Sequence, residues 1–332
     1  MKAIIPVAGI GLRLRPHTHT QPKALIPVAG NTILGHIIDR LLAGGINQFV
    51  FIIGYLGEKI EAFVKREYPQ VQTEFVVQEP REGIGHALYI ARHTFEQETD
   101  ILIVLGDTIV ETDMEKLLSF PGTMLAVKKV DTPSLFGVTE IDANEQVIKV
   151  IEKPKIPKSN IALVGLYKIH QPHLLVKALG FIMQQNIRTM GEFHLSDALM
   201  QLVKQGEKMA VQEVDSWFDC GRKDTLLEAN AILLHRLASQ QNEQPQFPNT
   251  IIIQPVSIGK NCTISNSIIG PNVAIGDNTI VQNTILHDSI IGSYSELRNT
   301  VMHDSIVGSD SSLLGLSHSF NIGDNTEINF SE

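Results

Sequence analysis

"PVAGIGLRLRPHTHTQPKALIPV", residues 6–28, leaves an apolar strand through two glycines, then presents Arg13, Arg15 and Lys23 before turning apolar again. Read with the residues before it, the strand is "KAIIPV" (2–7), apolar at nearly every position. That is how a strand covered on both faces of a parallel sheet reads. "QFVFII" (48–53) and "ILIVLG" (101–106) repeat the pattern. Between the first two, "NTILGHIIDRLLAGG" sets Ile33, Leu34, Ile37, Ile38, Leu41 and Leu42 on one helical face. It stops at Gly44 and Gly45, which are expected to supply a left-handed C-terminal cap. "GEKIEAFVKREY" is a second amphipathic helix. The alternation of strand and helix to about residue 235 argues an α/β domain with a mixed, mostly parallel sheet.

Positive charge gathered after the first strand stands out in a chain whose net charge is -9. An acidic balance argues against a general nucleic-acid binder, because nothing neutralises a phosphate backbone wholesale. Local positive charge on such a chain points instead to a small anionic ligand held at one spot. Two cysteines, Cys220 and Cys262, make no disulfide framework, so a reducing, cytoplasmic setting is expected. No run approaches the ~20 apolar residues of a membrane span, and "MKAIIPVAGI" is too short for a signal peptide.

The composition changes beyond "SQQNEQPQFPN" (239–249), a polar stretch with two prolines that reads as a linker. Aliphatic–glycine pairs then recur at 258–259, 269–270, 275–276, 291–292, 307–308 and 322–323. Their steps of 11, 6, 16, 16 and 15 residues are sums of fives and sixes. The near-copies "LHDSIIGS" (286–293) and "MHDSIVGS" (302–309) fix one repeat at 16 residues. This fits one coil of a three-sided parallel β-helix, with an inward aliphatic on each side and small residues at the corners. Hairpins of an antiparallel sandwich would not enforce such a step. The expected organisation is a domain over 1–238, a linker over 239–249 and a β-helix over 250–332.

A strand running into a glycine-containing loop leaves backbone N–H groups unpaired and allows a ligand to approach closely. Phosphate oxygens suit such a loop, with Arg13 and Lys23 adding charge-assisted bonds. By itself "GIG" is neither a dinucleotide fingerprint nor a P-loop. As a whole, however, "AGIGLRLRPHTHTQPKALIPVAG" resembles the signature of the sugar-nucleotide pyrophosphorylases. "QEPREGIGHAL" (78–88), "VLGDT" (104–108), "FGVTEID" (136–142), "EKPKIPKSNIALVGLY" (152–167), "GEFHLSDAL" (191–199) and "WFDCG" (217–221) are similar to further segments of that family, in family order. The segment at 152–167 is nearest to glucose-1-phosphate thymidylyltransferases. The resemblance implies a Rossmann-like nucleotidyltransferase domain followed by a left-handed β-helix of hexapeptide-repeat type.

The resemblance also implies a reaction: a sugar 1-phosphate attacks the α-phosphate of a nucleoside triphosphate, with Mg²⁺ as cofactor. Ala8, Gly9, Gly11 and Arg13 would hold the triphosphate, and Lys23 would bridge it to the sugar phosphate. Asp107 and Asp219 would bind Mg²⁺, a hard ion suited to carboxylate oxygens. Asp107 follows "ILIVLG", which places it at a strand's C-terminal edge, where open α/β sheets bind ligands. Gln78 would read the base and Gly83 would let the base pack on backbone. Gly137, Glu152 and Lys153 would meet the sugar and its phosphate. An amide that both donates and accepts suits the N3–H and O4 of thymine or uracil, whereas guanine presents two donors. Hence dTTP or UTP with glucose 1-phosphate is expected, with GTP and mannose 1-phosphate as the alternative.

Two positions depart from the family pattern. Leu12 stands where Thr is usual, removing a hydroxyl beside the phosphates and implying weaker nucleotide binding. Thr108 replaces the Asn of the common "GDN" turn. These departures motivate a second hypothesis, a nucleotide-sugar-binding regulatory subunit without turnover. A third adds acyl transfer in the β-helix, with His287, His303 or His318 as base, although residues repeated by coil architecture are usually structural. His17 and His19 lack a nearby third ligand for a metal. Trp217 reads as core. An open end coil exposes a β edge, so a homo-oligomer through the β-helix is expected, with "SHSFNIGDNTEINF" (317–330) as cap or contact.

Overall fold

The computed structural model of the chain describes residues 1–238 and 246–315. Contacts divide the chain into two compact units, Met1–Ala229 and a second beginning at Asn230, so the division falls within the helix Lys223–Ala238. Residues 239–245 of the expected linker, His318, the Ile322-Gly323 pair and the stretch 317–330 lie outside the described residues.

In the first unit the three apolar runs become the strands Lys2–Pro6, Gln48–Ile53 and Asp100–Val104. Lys2–Pro6 lies between the other two and is parallel to both, and Gln72–Val77 extends this parallel half at the edge. The ten-residue strand Ile161–His170 runs antiparallel beside Asp100–Val104. Its other side pairs with Thr123–Lys129, while Gly137–Ile141 pairs at Ala162 on the same side as Asp100–Val104, beyond that strand's end, so the sheet is mixed. Ile4, Val50, Ile52, Ile101 and Ile103 are almost wholly buried beneath the helices. Burial at this density, worth ~25 cal/mol per Å² of apolar surface, is why these runs need no polar alternation.

The helix Ile33–Ala43 starts where Thr32's hydroxyl accepts the Gly35 N–H, and buries Ile33, Leu34, Ile37, Ile38 and Leu41. Leu42 is only half-buried. At its end only Gly45 is left-handed, with φ +83°, while Gly44 keeps φ −79°. The second amphipathic helix spans Gly57–Glu67.

The architecture sets the C-terminal ends of the parallel strands side by side. The loop 7–11 follows the first strand, Gln78 follows Gln72–Val77, and Asp107 follows Asp100–Val104. The last of these leads into a separate two-stranded ladder, Thr108–Glu111 against Ser216–Asp219, which pairs Thr108 with Asp219.

Among the described residues, the second unit forms three parallel sheets, four strands each, as in a left-handed β-helix. Register shows two coil lengths. Ile251 pairs with Ile268 and Ile268 with Ile285, at 17-residue steps, whereas Ile285 pairs with Val301 and Ile290 with Ile306 at 16. Val256, Ile269, Val273, Ile275, Val281, Leu286, Ile291 and Leu297 fill the interior. The corners differ from the expected small residues. Asn266, Asn272, Asn278, Asn283, Asp288, Asn299 and Asp304 sit there with φ between 45° and 60°. Asparagine and aspartate tolerate that left-handed conformation best among residues with side chains. Their amides also form ladders from coil to coil, Asn283 donating to Asn299 at 3.0 Å and Asn272 to Asp288 at 2.7 Å.

Candidate active site

The loop after the first strand is held open by two different glycine properties. Gly11 takes φ +71°, and a Cβ there would stand 3.0 Å from the Cβ of Lys23. A Cβ on Gly9 would meet nothing within 4 Å, so that face of the loop is bare backbone. Thr18, fully buried, donates its hydroxyl to the Gly11 carbonyl at 2.9 Å and fixes the turn. Leu12 points outward at 61% exposure, and Ala8 is buried beneath the loop.

Lys23 reaches from this segment to the turn after Asp100–Val104, donating to Asp107 Oδ2 at 2.6 Å. The Thr108 hydroxyl donates to the other oxygen of Asp107 at 3.3 Å. The two-stranded ladder then delivers Asp219, and the Cys220 N–H donates to the Asp107 carbonyl at 3.1 Å. A Cβ built on Gly221 would lie 2.8 Å from Asp219 Oδ1, 3.0 Å from an Arg13 guanidinium nitrogen and 3.3 Å from Lys23 Nζ. Arg13, Lys23 and Asp219 therefore converge around one glycine, and Lys23 ties Asp107 to them. Arg15 is exposed.

The carboxylates respond in opposite directions. Burial by itself would raise Asp107, but the charge and hydrogen bond of Lys23, with the Thr108 hydroxyl, outweigh it and hold the group below the usual range. Asp219 is pushed up, first by burial and then by the charge of Asp107, with Lys23 and Arg13 offsetting part of this. Burial also keeps the Cys220 thiol protonated. Both cysteines are free.

Gln78 and Gly83 are brought together: the Gln78 amide nitrogen donates to the Gly83 carbonyl at 2.9 Å and lies 3.3 Å from His86 Nδ1. Gly83 has φ +102°, and a Cβ there would stand 2.5 Å from the Phe193 carbonyl oxygen. The close neighbour on that face is thus the backbone of "GEFHLSDAL", which is also clamped by Gly85 N–H to Phe193 O and Phe193 N–H to Glu82 O, each 2.8 Å.

Gly137 lies opposite Glu152 in the antiparallel ladder, and a Cβ there would be 3.0 Å from the Glu152 carboxylate. Ser196 donates to the same oxygen at 2.9 Å, and His194 Nδ1 stands 3.8 Å from the other. Lys153 adopts φ +40° with its ammonium 3.8 Å from Glu152. Tyr167, buried between the clusters, has its phenol raised by burial and by the charges of Glu152 and Asp107. Gly221, His194 and Ser196 lie within the motifs at 217–221 and 191–199, which single none of them out. Their neighbours come from distant segments, and only the motif match could have flagged them.

Among the described residues, no group of three or more His, Cys, Asp or Glu surrounds a metal position, and no helix is long and apolar enough to cross a membrane. Two coupled carboxylates do fit Mg²⁺, which takes one or two protein carboxylates and completes its shell with water and phosphate oxygens. Trp217 is half-buried, edge-to-face with Phe136 at 4.7 Å.

A glycine-opened loop, a lysine and two carboxylates thus meet at the C-terminal edge of a parallel half-sheet, the place where open α/β sheets bind ligands. The chain belongs to the nucleotidyl transferase family, whose model matches residues 2–236. It is 36% identical over 237 residues to the bifunctional protein GlmU of Methanocaldococcus jannaschii, covering 71% of this chain and 55% of that one. The chain thus spans little more than half the length of that relative. It is 29% identical over 307 residues to glucose-1-phosphate thymidylyltransferase of Streptomyces antibioticus, covering 90% of this chain and 82% of that one. A solved putative glucose-1-phosphate thymidylyltransferase from Bacillus anthracis aligns with TM-score 0.60 at 28% identity over 74% of this chain and 98% of its own. A UDP-glucose pyrophosphorylase aligns with TM-score 0.62 over 72% of this chain and 99% of its own, and at 17% identity shares the fold.

Proposed function

We propose that the chain transfers a nucleotidyl group from dTTP or UTP to glucose 1-phosphate. The convergence of Arg13, Lys23 and Asp219 around Gly221, with Asp107 bonded to Lys23, carries this reading. A phosphate oxygen of the sugar 1-phosphate forms a bond to the α-phosphorus, the α–β anhydride bond breaks, and its electrons leave with pyrophosphate. The nucleophile is already an anion near neutral pH, its second pKa being about 6, so no general base is needed. The barrier is the approach of two polyanions, and fixed cations and dipoles lower it.

In this reading Gly9 and Gly11 offer backbone N–H groups to the triphosphate and Arg13 pairs with its oxygens. Lys23 spans the two phosphates that react. Asp107 and Asp219 would hold Mg²⁺, which when bound supplies further charge neutralisation at the phosphates. Gln78 holds its amide toward the base, pre-set by Gly83; Gly137, Glu152 and Lys153 face the sugar, with Ser196 orienting Glu152. Leu12 and Thr108 leave these groups in place, which favours turnover over a purely regulatory role.

The test is pyrophosphate release with a panel of nucleoside triphosphates and sugar 1-phosphates. Highest turnover is expected for dTTP or UTP with glucose 1-phosphate. A preference for GTP with mannose 1-phosphate refutes the role given to Gln78, and no release with any pair, despite nucleotide-sugar binding, supports the regulatory alternative.

For the β-helix we propose self-association. Ile251, Ile268, Ile285 and Val301 stack in register on one outer face, and Ile251, Ile285 and Val301 are 59%, 43% and 73% exposed. Such an apolar ladder is unusual on a lone surface. A monomer by light scattering at micromolar concentration would contradict it. His287 and His303 stack at 5.4 Å, each bonded through Nδ1 to the aspartate that follows. A dyad repeated on successive coils supports a structural corner rather than an acyl-transfer base, and an acyl-CoA assay on the full chain tests that.

A further inference from the structure

The candidate site balances its own charge. Asp107 gives one carboxylate oxygen to the Lys23 ammonium at 2.6 Å and the other to the Thr108 hydroxyl at 3.3 Å. The Asp219 carboxylate stands beside the same Gly221 face as the Arg13 guanidinium and the Lys23 ammonium. Two anions are thus matched by two cations. The Lys23 side chain is only 13% exposed, so its ammonium has little water to return to if it is displaced.

We infer that Lys23 is the resident cation of Asp107, so that a divalent ion reaches this carboxylate only together with a triphosphate that draws the ammonium away. The inference rests on the proposed reaction, in which Asp107 and Asp219 hold the ion. A lone divalent ion meets a site with almost no net charge. To bind, it has to break a charge-assisted hydrogen bond and leave a half-enclosed ammonium unpaired, which is the costly way to disrupt such a pair. A polyanion changes the balance. It offers Lys23 and Arg13 new partners, and the two carboxylates then face each other without counter-ions. Thr108 contributes to the same device, because its hydroxyl occupies the oxygen that Lys23 leaves free. The departure at this turn thereby strengthens the coupling between ion and nucleotide.

The test is Mn²⁺ binding to the full chain without nucleotide, read from the free-ion EPR signal. Wild type should bind weakly. Lys23→Met should bind at least tenfold more tightly, and Lys23→Arg, which keeps the charge, should stay near wild type. Thr108→Val, nearly isosteric, should give a smaller gain in the same direction. The gain of Lys23→Met should vanish in the Lys23→Met/Asp107→Asn double variant. Equal affinity in wild type, Lys23→Met and Thr108→Val overturns the inference, as does a gain that survives Asp107→Asn. Pyrophosphate release by wild type is scored separately. Release with Mn²⁺ affinity unmoved by Lys23→Met discards the resident-cation role and leaves the reaction standing; no release with any substrate pair refutes the reaction itself.

Discussion

Replacing Gly221 by alanine probes the site with a single methyl group. Gly221 has no left-handed φ, so alanine meets no backbone strain there. The three nearest atoms to its Cβ would be side-chain ends: Asp219 Oδ1 at 2.8 Å, an Arg13 nitrogen at 3.0 Å and Lys23 Nζ at 3.3 Å. Ordinary non-bonded contact needs roughly 3.5 Å or more, so the aspartate and arginine must withdraw by about half an ångström. The side chains can do this without moving the fold, and the expected change in stability is within about 0.5 kcal/mol. Chemistry is less forgiving, because a misplacement of ~1 Å can cost ~10²-fold in rate. Half of that displacement on two groups predicts a loss of roughly 10- to 100-fold in kcat/KM, or ~1.4–2.7 kcal/mol of transition-state stabilisation. Steady-state pyrophosphate release beside a thermal melt measures both quantities. Full activity in Gly221→Ala, or activity lost only in step with folded protein, would refute the idea that these groups meet over this glycine.

Asp107→Asn and Asp219→Asn should each abolish turnover yet move stability in opposite directions. Asp107, held low by Lys23, contributes stability that is present above the usual carboxylate pKa and fades as pH falls through its lowered value. Its replacement should lower stability at pH 7 by about 1–2 kcal/mol, at the low end for a charged hydrogen bond because the pair is partly solvated. Asp219, held high chiefly by burial and by Asp107, costs stability once pH rises through its raised value. Asp219→Asn should therefore raise the melting temperature at pH 7, by roughly 2–4 °C per kcal/mol relieved, with the gain gone below pH ~4. Matched melts at pH 7 and pH 3.5 check both signs, and parallel shifts would contradict the assignment. Leu12→Thr, at an exposed position, should tighten nucleotide binding about fivefold if the new hydroxyl gains one net hydrogen bond of ~1 kcal/mol, and calorimetry would show it. Tyr294 sits at φ +59° in the corner column of Asn261, Asn278 and Asp310, so Tyr294→Asn should stabilise the β-helix by ~1 kcal/mol in a denaturant melt.

Some of this architecture is written locally. The strands at 2–6, 48–53 and 100–104 announce themselves because burial leaves only their first residues, Lys2, Gln48 and Asp100, polar, and Thr32 with Gly45 brackets the first helix by capping chemistry that needs no tertiary partner. The repeat of the β-helix is equally plain, since each coil restates the same inward aliphatics. Its two lengths are less so: a 17-residue coil differs from a 16-residue one by a residue absorbed at a corner, and corners tolerate that without a change in pattern. The use of Asn and Asp at those corners follows from backbone conformation, which becomes visible only once the register is known.

The candidate site divides along the same line. Arg13 and Lys23 belong to one continuous stretch, whose glycines and cations already suggest an anion. Asp219 gives no comparable signal, because its place depends on four-residue strands pairing across more than a hundred residues of chain. Side chains alternate faces along a strand, so slipping this ladder by one residue would turn Asp219 away from Asp107 and bring its neighbour Phe218 or Cys220 to the cations instead. The buried Phe218 and Cys220 oppose that slip, since either would exchange a buried apolar position for one lined with charge. Register of the small ladder is thus set by apolar residues that take no part in chemistry, and the carboxylate between them is aimed as a consequence.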